Sequence, residues 1–563
     1  VLKKPTAPSL SASPAGTGVP DTLTRSFPSG REHFFRINQG EDLPLSVTFR
    51  HPHKNVSVVA FTNINNGEDD WYEMPFTPSD SHKYSLNIKC AKPGRYSFRI
   101  KYTLDGCKWL WDCVPYSYIM VDPSLYSTIK TYTLIGSSAG HIGEWTLMLP
   151  HIRRLECNVL HLLPVTKLGI SKAPYAASDL FSLDPAYLDP SSRDDGITQF
   201  DGFIDAAAKQ GLRVCIDLVF NHVSSDSNIV ELCPDWIQAD ETEPDGFRRA
   251  GWSAGETWHK WENLVLLDYD HPVKKTRNAL WEYMRQYGLF WAQFAARTKG
   301  MIRLDNLHSS NHKFMHYVLT EIRKTYPELT IFAELFTDTA TSSALVWNYG
   351  LDLMLATPWE HHFVPQLRRY IENIHCRDKQ TPHILPITSH DSRTPAEEFG
   401  NVQSTIPRYL ISALMGCGAT GLVQGVEYGL SKKISLVGIN PPPDYHTGHD
   451  FTGFITKVNR IMDKYKVFQT GGNMIFIDDE HEAIMAAYRF DDTSNEQDFI
   501  VLGNLDISNQ QRISINLDHH IPNRKIHSLE EMLTGETLKP LNGRLEIIMP
   551  PCSAFVLKIH PAA

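Results

Sequence analysis

Between about residues 130 and 470 the sequence keeps one rhythm: a short apolar run of strand character, then an amphipathic stretch, many times over. The runs are YTLI (132–135), NVLHLLPV (158–165), LRVCIDLVF (212–220), GMIRLD (300–305), LTIFAEL (329–335), LDLMLA (351–356), HILPITS (383–389) and ATGLVQ (419–424). Helical stretches such as HIGEWTLMLPHIRRLE, KKTRNALWEYMRQYGLFWAQFAART and KFMHYVLTEIRKTY separate them. Eight strands that are apolar on both faces need cover on both sides, and alternating helices supply it. The pattern predicts an α/β fold, a (β/α)8 TIM barrel over 126–470, with an insertion at 223–264 after the third strand.

The flanks read differently. Residues 1–30, rich in Pro, Ser, Gly and Thr, lack a periodic apolar face and are expected to form a flexible lead. From 31 to 125, short alternating runs (SVTF, VSVVAFT, YSLNIKC, YSFRIKYTL) predict an N-terminal β-sandwich. Within it, CKWLWDCV sets Trp109 and Trp111 on one face of a strand. Packing in the sandwich core is the expectation, and stacking on a sugar the alternative. Over 471–563 alternation returns (MIFIDD, IMAAYRF, FIVLGNL, RISINL, LEIIMP, AFVLKI) and predicts a C-terminal antiparallel β-domain.

A chain of 563 residues is long enough for such a three-part layout. Its net charge of −10 argues against nucleic acid as a partner. No run of about eighteen apolar residues is present, so neither a membrane span nor a membrane partner is expected. Nine cysteines without CxxC pairs indicate reduced thiols, not a zinc site or a disulfide framework. No export signal follows Val1, so a cytoplasmic protein is expected, with a secreted chain already trimmed as the alternative. The sequence carries no signal for oligomeric state.

In a (β/α)8 barrel the chemistry sits where the strands end in their C-terminal direction. Four runs end in conspicuous groups: Asp217, Asn221 and His222 after the third strand, Arg303 and Asp305 after the fourth, Glu334 after the fifth, His390 and Asp391 after the seventh. One acid at a strand end is more often a helix cap than a catalyst. Several carboxylates converging on one rim with an arginine and two histidines are costly unless chemistry uses them. Paired carboxylates are what retaining glycoside hydrolysis requires, one as nucleophile and one as acid then base. Neither an HExxH pair nor a Gly-rich phosphate loop competes with that reading. Burial and neighbouring carboxylates are expected to raise the pKa of Glu334, while the guanidinium keeps Asp305 charged. Trp252, Trp258 and Trp261 in the insertion offer further faces for sugar, or for packing the insertion itself.

DLVFNH (217–222), IRLD (302–305), AEL (333–335) and SHD (389–391), in that order, resemble the four short segments of the α-amylase superfamily, glycoside hydrolase family 13. The resemblance covers about 130–563. It implies Asp305 as nucleophile, Glu334 as general acid/base and Asp391 as the acid that binds sugar hydroxyls. Arg303 would orient Asp305, and His222 and His390 would bind the same ring. Tyr175 in APYAASDLFSLDP looks like the family's stacking tyrosine, although Pro174 replaces the usual glycine before it. Asp305-Asn306-Leu307-His308-Ser309, LGISKAPY (168–175) and AELF (333–336) are similar to the glucanotransferase half of glycogen debranching enzymes. They point to Asn306 and His308 as acceptor-side residues. The resemblance thus implies a retaining enzyme acting on α-1,4-glucan or maltooligosaccharide, most simply a 4-α-glucanotransferase. An amylase-type hydrolase of starch or glycogen is the alternative, and an inactive glucan-binding protein a minor one. No cofactor is required. The family often holds calcium near the residue matching Asn221, so the resemblance leaves calcium open as an alternative, but no acidic set in the sequence completes such a site and no metal ligand is assigned.

Overall fold

The structure is a computed structural model describing residues 23–26, 34–113, 116–123, 128–254, 257–378, 380–477, 481–491, 497–522 and 525–561. The side chains of 23–26, Ser253, Ala254 and Trp258 lie outside the description. Two compact units divide the chain, one formed by residues up to 119 apart from 92–95, the other by the remainder.

Eight parallel strands close the barrel: β1 (Ile129–Leu134), β2 (Val159–Leu162), β3 (Arg213–Leu218), β4 (Met301–Leu304), β5 (Thr330–Ala333), β6 (Leu353–Leu355), β7 (His383–Pro386) and β8 (Ala419–Val423). Each falls within or overlaps one of the eight expected runs. β8 returns to β1 with Ile129 opposite Ala419, which removes any open edge. One side chain from every strand meets in a single apolar layer: Ile129, Val159, Cys215, Met301, Phe332, Leu353, Ile384 and Ala419. Two residues further along β2, β3 and β4 stand His161, Asp217 and Arg303. Strand alternation returns them to the same interior side, now among polar neighbours.

The three helical stretches read from the sequence are helices α1 (Ile142–Arg154), α3 (Lys274–Arg297) and α4 (His312–Thr325), with α2 (Gly196–Lys209) between the first two. α1 begins with a capping box in which His141 and Glu144 satisfy each other's backbone N–H groups. α3 buries Leu280, Met284, Tyr287, Trp291 and Ala295, an i, i+4, i+7, i+11, i+15 stripe. Gly300 has no room for a side chain, since a Cβ there would lie 2.0 Å from the Val214 carbonyl oxygen. That close approach lets the α3–β4 turn seat β4 against β3.

The insertion after β3 is a small antiparallel sheet of His222–Ser224, Thr257–Leu266 and Arg249–Ala254 in that spatial order. After the barrel, a six-stranded sheet and the pair Gln511–Asn516 and Arg544–Met549 enclose one core that includes Ile484, Leu502, Ile515, Leu529, Ile547 and Leu557. Arg489, with no exposed surface, donates to the carbonyls of Gly416, Val467 and Thr470 and ties this sheet to the barrel.

In the other unit, a four-stranded sheet faces a larger one. Phe49 of the first meets Tyr102 of the second edge to face, at 5.3 Å between centroids. The expected lead needs correction where it is described: Leu23–Ser26 is a strand paired with Asp42–Phe49. Four residues are too few for periodicity to register, and the open edge of Asp42–Phe49 supplies the template. The rest of 1–30 lies outside the described residues. All nine cysteines are free thiols. No helix among the described residues is long and apolar enough to cross a membrane.

Candidate active site

Arg303, 1 % exposed, is the hub of the rim. Its Nη1 donates to Asp217 Oδ2 at 2.6 Å, to the Tyr175 hydroxyl at 3.2 Å and to Asp305 Oδ1 at 3.3 Å. Its Nη2 is 2.9 Å from Glu334 Oε2. A guanidinium suits this work because its planar fork serves several acceptors at once, as a lysine ammonium cannot. The register makes the arrangement unavoidable, with Asp217 opposite Arg303, and Arg303 opposite Phe332, two residues before Glu334.

Around this hub the remaining groups interlock. The Tyr175 hydroxyl donates to Asp217 Oδ2 at 2.7 Å and lies 2.6 Å from His390 Nε2, while its ring stacks on His390 with a 13° interplanar angle. His390 Nε2 is 2.8 Å from Asp391 Oδ2. His222 meets the Tyr175 carbonyl oxygen through Nε2 at 3.1 Å, and its buried Nδ1 has no protein partner. With Nε2 carrying the proton, Nδ1 is an acceptor available to a hydroxyl.

Beyond β4 the chain turns sharply. Asn306 adopts a left-handed conformation, φ 48°, which asparagine tolerates better than most residues. Its backbone N–H then donates to Glu334 Oε2 at 3.0 Å, and its carbonyl accepts from the Ser309 hydroxyl. His308 is exposed, with its ring 5.9 Å from that of Phe336, which is itself 45 % exposed.

The electrostatics depart from the expectation in one respect. Burial and the facing charge of Glu334 push the Asp305 carboxyl well above its ordinary range, against the pull of Arg303. The sequence reading kept Asp305 charged. It assumed that Arg303 serves Asp305 first, whereas the guanidinium lies nearer Asp217 and Glu334. Burial also raises Asp391, but His390, Arg303 and Lys433 more than offset it and hold that carboxyl well below its usual range. Asp217 stays ionised despite burial because Arg303 and His161 face it. Burial lowers His222 to about 4, so its ring is neutral at ordinary pH.

Asp305, Glu334, Arg303, Tyr175, His390 and Asp391 therefore form one constellation, with His222 attached through Tyr175. Asn306 enters through its backbone. The side chain of Trp258 lies outside the described residues, while Trp261 packs with Ala176, Ala250 and Leu264. Trp252 stacks on His259 at 4.8 Å. Two residues escaped the sequence reading. His161 on β2, 3.5 Å from Asp217 Oδ2 and bonded to Thr133, could have been flagged as the only polar side chain in the middle of an apolar run. Lys433 donates to the Asp391 carbonyl at 2.7 Å from 42 positions away, and no sequence signal marks it. At Asn221 a buried Oδ1 lacks a partner, but among the described residues no group of three His, Cys, Asp or Glu side chains could hold a metal ion. No step is assigned to a metal ion.

Comparison with known proteins places this geometry. The glucanotransferase domain of glycogen debranching enzyme, as a family, matches residues 125–245. Alpha-1,4-glucan:maltose-1-phosphate maltosyltransferases align at low identity: that of Picrophilus torridus is 21 % identical over 75 % of this chain and 68 % of its own, and that of Salinibacter ruber 23 % over 65 % and 58 %. The chain thus spans about two thirds or less of these relatives. Among solved structures, a cyclomaltodextrinase superposes with a TM-score of 0.63 over 94 % of this chain and 99 % of its own, at 15 % identity. A maltogenic α-amylase from Thermotoga neapolitana gives 0.60 over 77 % and 99 %, at 16 %. The closed (β/α)8 barrel is the fold of these amylase-family structures. In sequence, residues 125–245 are similar to the glucanotransferase domain of glycogen debranching enzyme, and the longer alignments are to the maltosyltransferases.

Proposed function

We propose that this protein is a retaining α-glucan transferase that cleaves an α-1,4 bond and passes the freed segment to another glucan, as a 4-α-glucanotransferase does. The observation that carries the reading is the single Arg303 hub that holds Asp305 and Glu334 beside Asp391 and His390. Such a pair, with one member protonated and the other ionised, is the state that double displacement uses. With that proton on Glu334, the glycosidic oxygen takes it as the bond breaks, while an Asp305 oxygen bonds to the anomeric carbon. Glu334, now ionised, takes the proton of an incoming sugar hydroxyl, whose oxygen displaces Asp305 and restores both groups. Asp391, held ionised, binds hydroxyls of the ring and offsets positive charge at the anomeric centre. Acceptor choice falls to the turn after β4, where Asn306 fixes Glu334 and the exposed rings of His308 and Phe336 offer a surface to a sugar.

Incubation with pure maltopentaose tests this. Longer and shorter maltooligosaccharides without new reducing ends are expected. Net release of reducing ends would make the protein a hydrolase, and unchanged substrate would overturn both.

A second reading is favoured by one feature. Arg393, Lys432 and Lys433 line a recess beside His390, with the hydroxyls of Thr388 and Ser392 among them. Three cations there suit a phosphorylated sugar donor, the kind of substrate named for the maltosyltransferase relatives. Release of inorganic phosphate from maltose 1-phosphate with glycogen present would support it.

A further inference from the structure

The large sheet of the N-terminal unit carries aromatic residues on the wrong face for a core. Val58, Ala60, Phe98, Ile100 and Tyr102 are buried on its inner side. Alternation therefore turns Phe61, Arg99 and Lys101 outward, and the register sets Trp111 opposite Lys101 and Trp109 opposite Thr103. Trp109 and Trp111 are 42 % and 46 % exposed, which overturns the expectation that they pack in the core. Outer faces of sandwiches ordinarily carry polar side chains, so two open indoles in one short strand call for a ligand.

The platform is also held in place. Phe61 stacks on Trp71 at 5.1 Å and meets Trp111 edge to face at 5.9 Å. The Arg99 guanidinium lies 4.8 Å from the Trp111 ring centre, and the Lys101 ammonium 5.0 Å from that of Trp109. Lys101 is paired with Glu73. The indoles are thus braced before anything binds, which lowers the entropic cost of binding.

We propose that this face is a second α-glucan site, in which sugar rings lie on Trp109 and Trp111 while Arg99, Lys101 and Glu73 meet their hydroxyls. It rests on the α-glucan reading of the barrel. Three features favour a neutral polyhydroxylated chain. The surface is an open platform along a sheet, suited to a long polymer. Donors and an acceptor border the rings, as hydroxyl groups require. Two cations and a carboxylate break the apolar strip, which disfavours an apolar partner surface.

The test uses the full chain and two measurements, co-sedimentation with glycogen and turnover of maltopentaose, a ligand short enough to report on the barrel alone. The double variant Trp109→Ala/Trp111→Ala is expected to lose roughly tenfold or more in glycogen affinity, with maltopentaose turnover unchanged. Trp109→Tyr/Trp111→Tyr, which keeps ring faces, is expected to retain most of the binding and guards against a folding artefact. Glycogen affinity within about twofold of wild type in the alanine variant overturns the proposal, as does absence of glycogen binding by the wild type. Trp-dependent glycogen binding in a protein inert toward maltopentaose would uphold this site while refuting the proposed activity.

Discussion

Arg303 has one positive charge and three carboxylates within reach, and that charge is unevenly divided among them. Asp217 is nearest and never needs to be neutral. Asp305 lies farthest of the three from the guanidinium, and burial beside Glu334 pushes its carboxyl well above the ordinary range. Two outcomes follow for Asp305→Asn. Turnover should fall by roughly three orders of magnitude or more, with the circular dichroism spectrum unchanged. The variant should also be more stable than wild type at pH 8. A carboxyl whose folded pKa is raised contributes stability that is fully present below its unfolded pKa, about 3.9, and lost as pH rises through the folded value. Asparagine removes that loss, so thermal unfolding of both proteins at pH 5 and pH 8 measures it. An equal or lower melting temperature for the variant at pH 8 would contradict the buried, raised carboxyl. His222 works in the opposite direction, for its folded pKa of about 4 lies below the unfolded value of about 6.5. Its contribution is present above pH 6.5 and lost as pH falls toward 4, by about 3 kcal/mol. His222→Phe should flatten the acid limb of a stability profile across that window.

At the level of elements, the turn after β4 joins catalysis to acceptor choice in the proposed reaction. Asn306 contributes a left-handed backbone and an N–H to Glu334, and both can be altered without touching the carboxylates. Asn306→Gly keeps the N–H and tolerates the conformation, so turnover should stay within several-fold of wild type. Asn306→Pro lacks the N–H and cannot reach φ 48°, so turnover should drop by roughly a hundredfold. Steady-state kinetics on maltopentaose separate the two. His308→Ala removes an exposed ring from the acceptor side and should shift products from transferred glucans toward hydrolysis, read as the ratio of new reducing ends to elongated chains. The elements were also the most legible part of the sequence. Parallel strands buried on both faces read as continuous apolar runs, so all eight stood out, and the acids closing four of them marked the rim. Alternation shows that Trp109 and Trp111 share a face, but not which face the core takes. The upward shift of the Asp305 carboxyl was equally illegible, because it turns on distances among four charged groups drawn from three strands. Lys433 reaches Asp391 from a loop, and loops leave no periodic trace.

On the scale of the whole molecule, the layer of eight side chains, one from each strand, has a kinetic consequence. It blocks the barrel beneath the site, so there is no passage through to the opposite end. In the proposed double displacement, the glucan released when the first bond breaks must go out by the mouth through which the acceptor comes in. The two partners therefore take turns, and the glycosyl-bearing protein has to outlast the interval between them. Double-reciprocal plots against donor at several fixed acceptor concentrations should accordingly be parallel, the mark of a one-door barrel that serves its two customers in sequence.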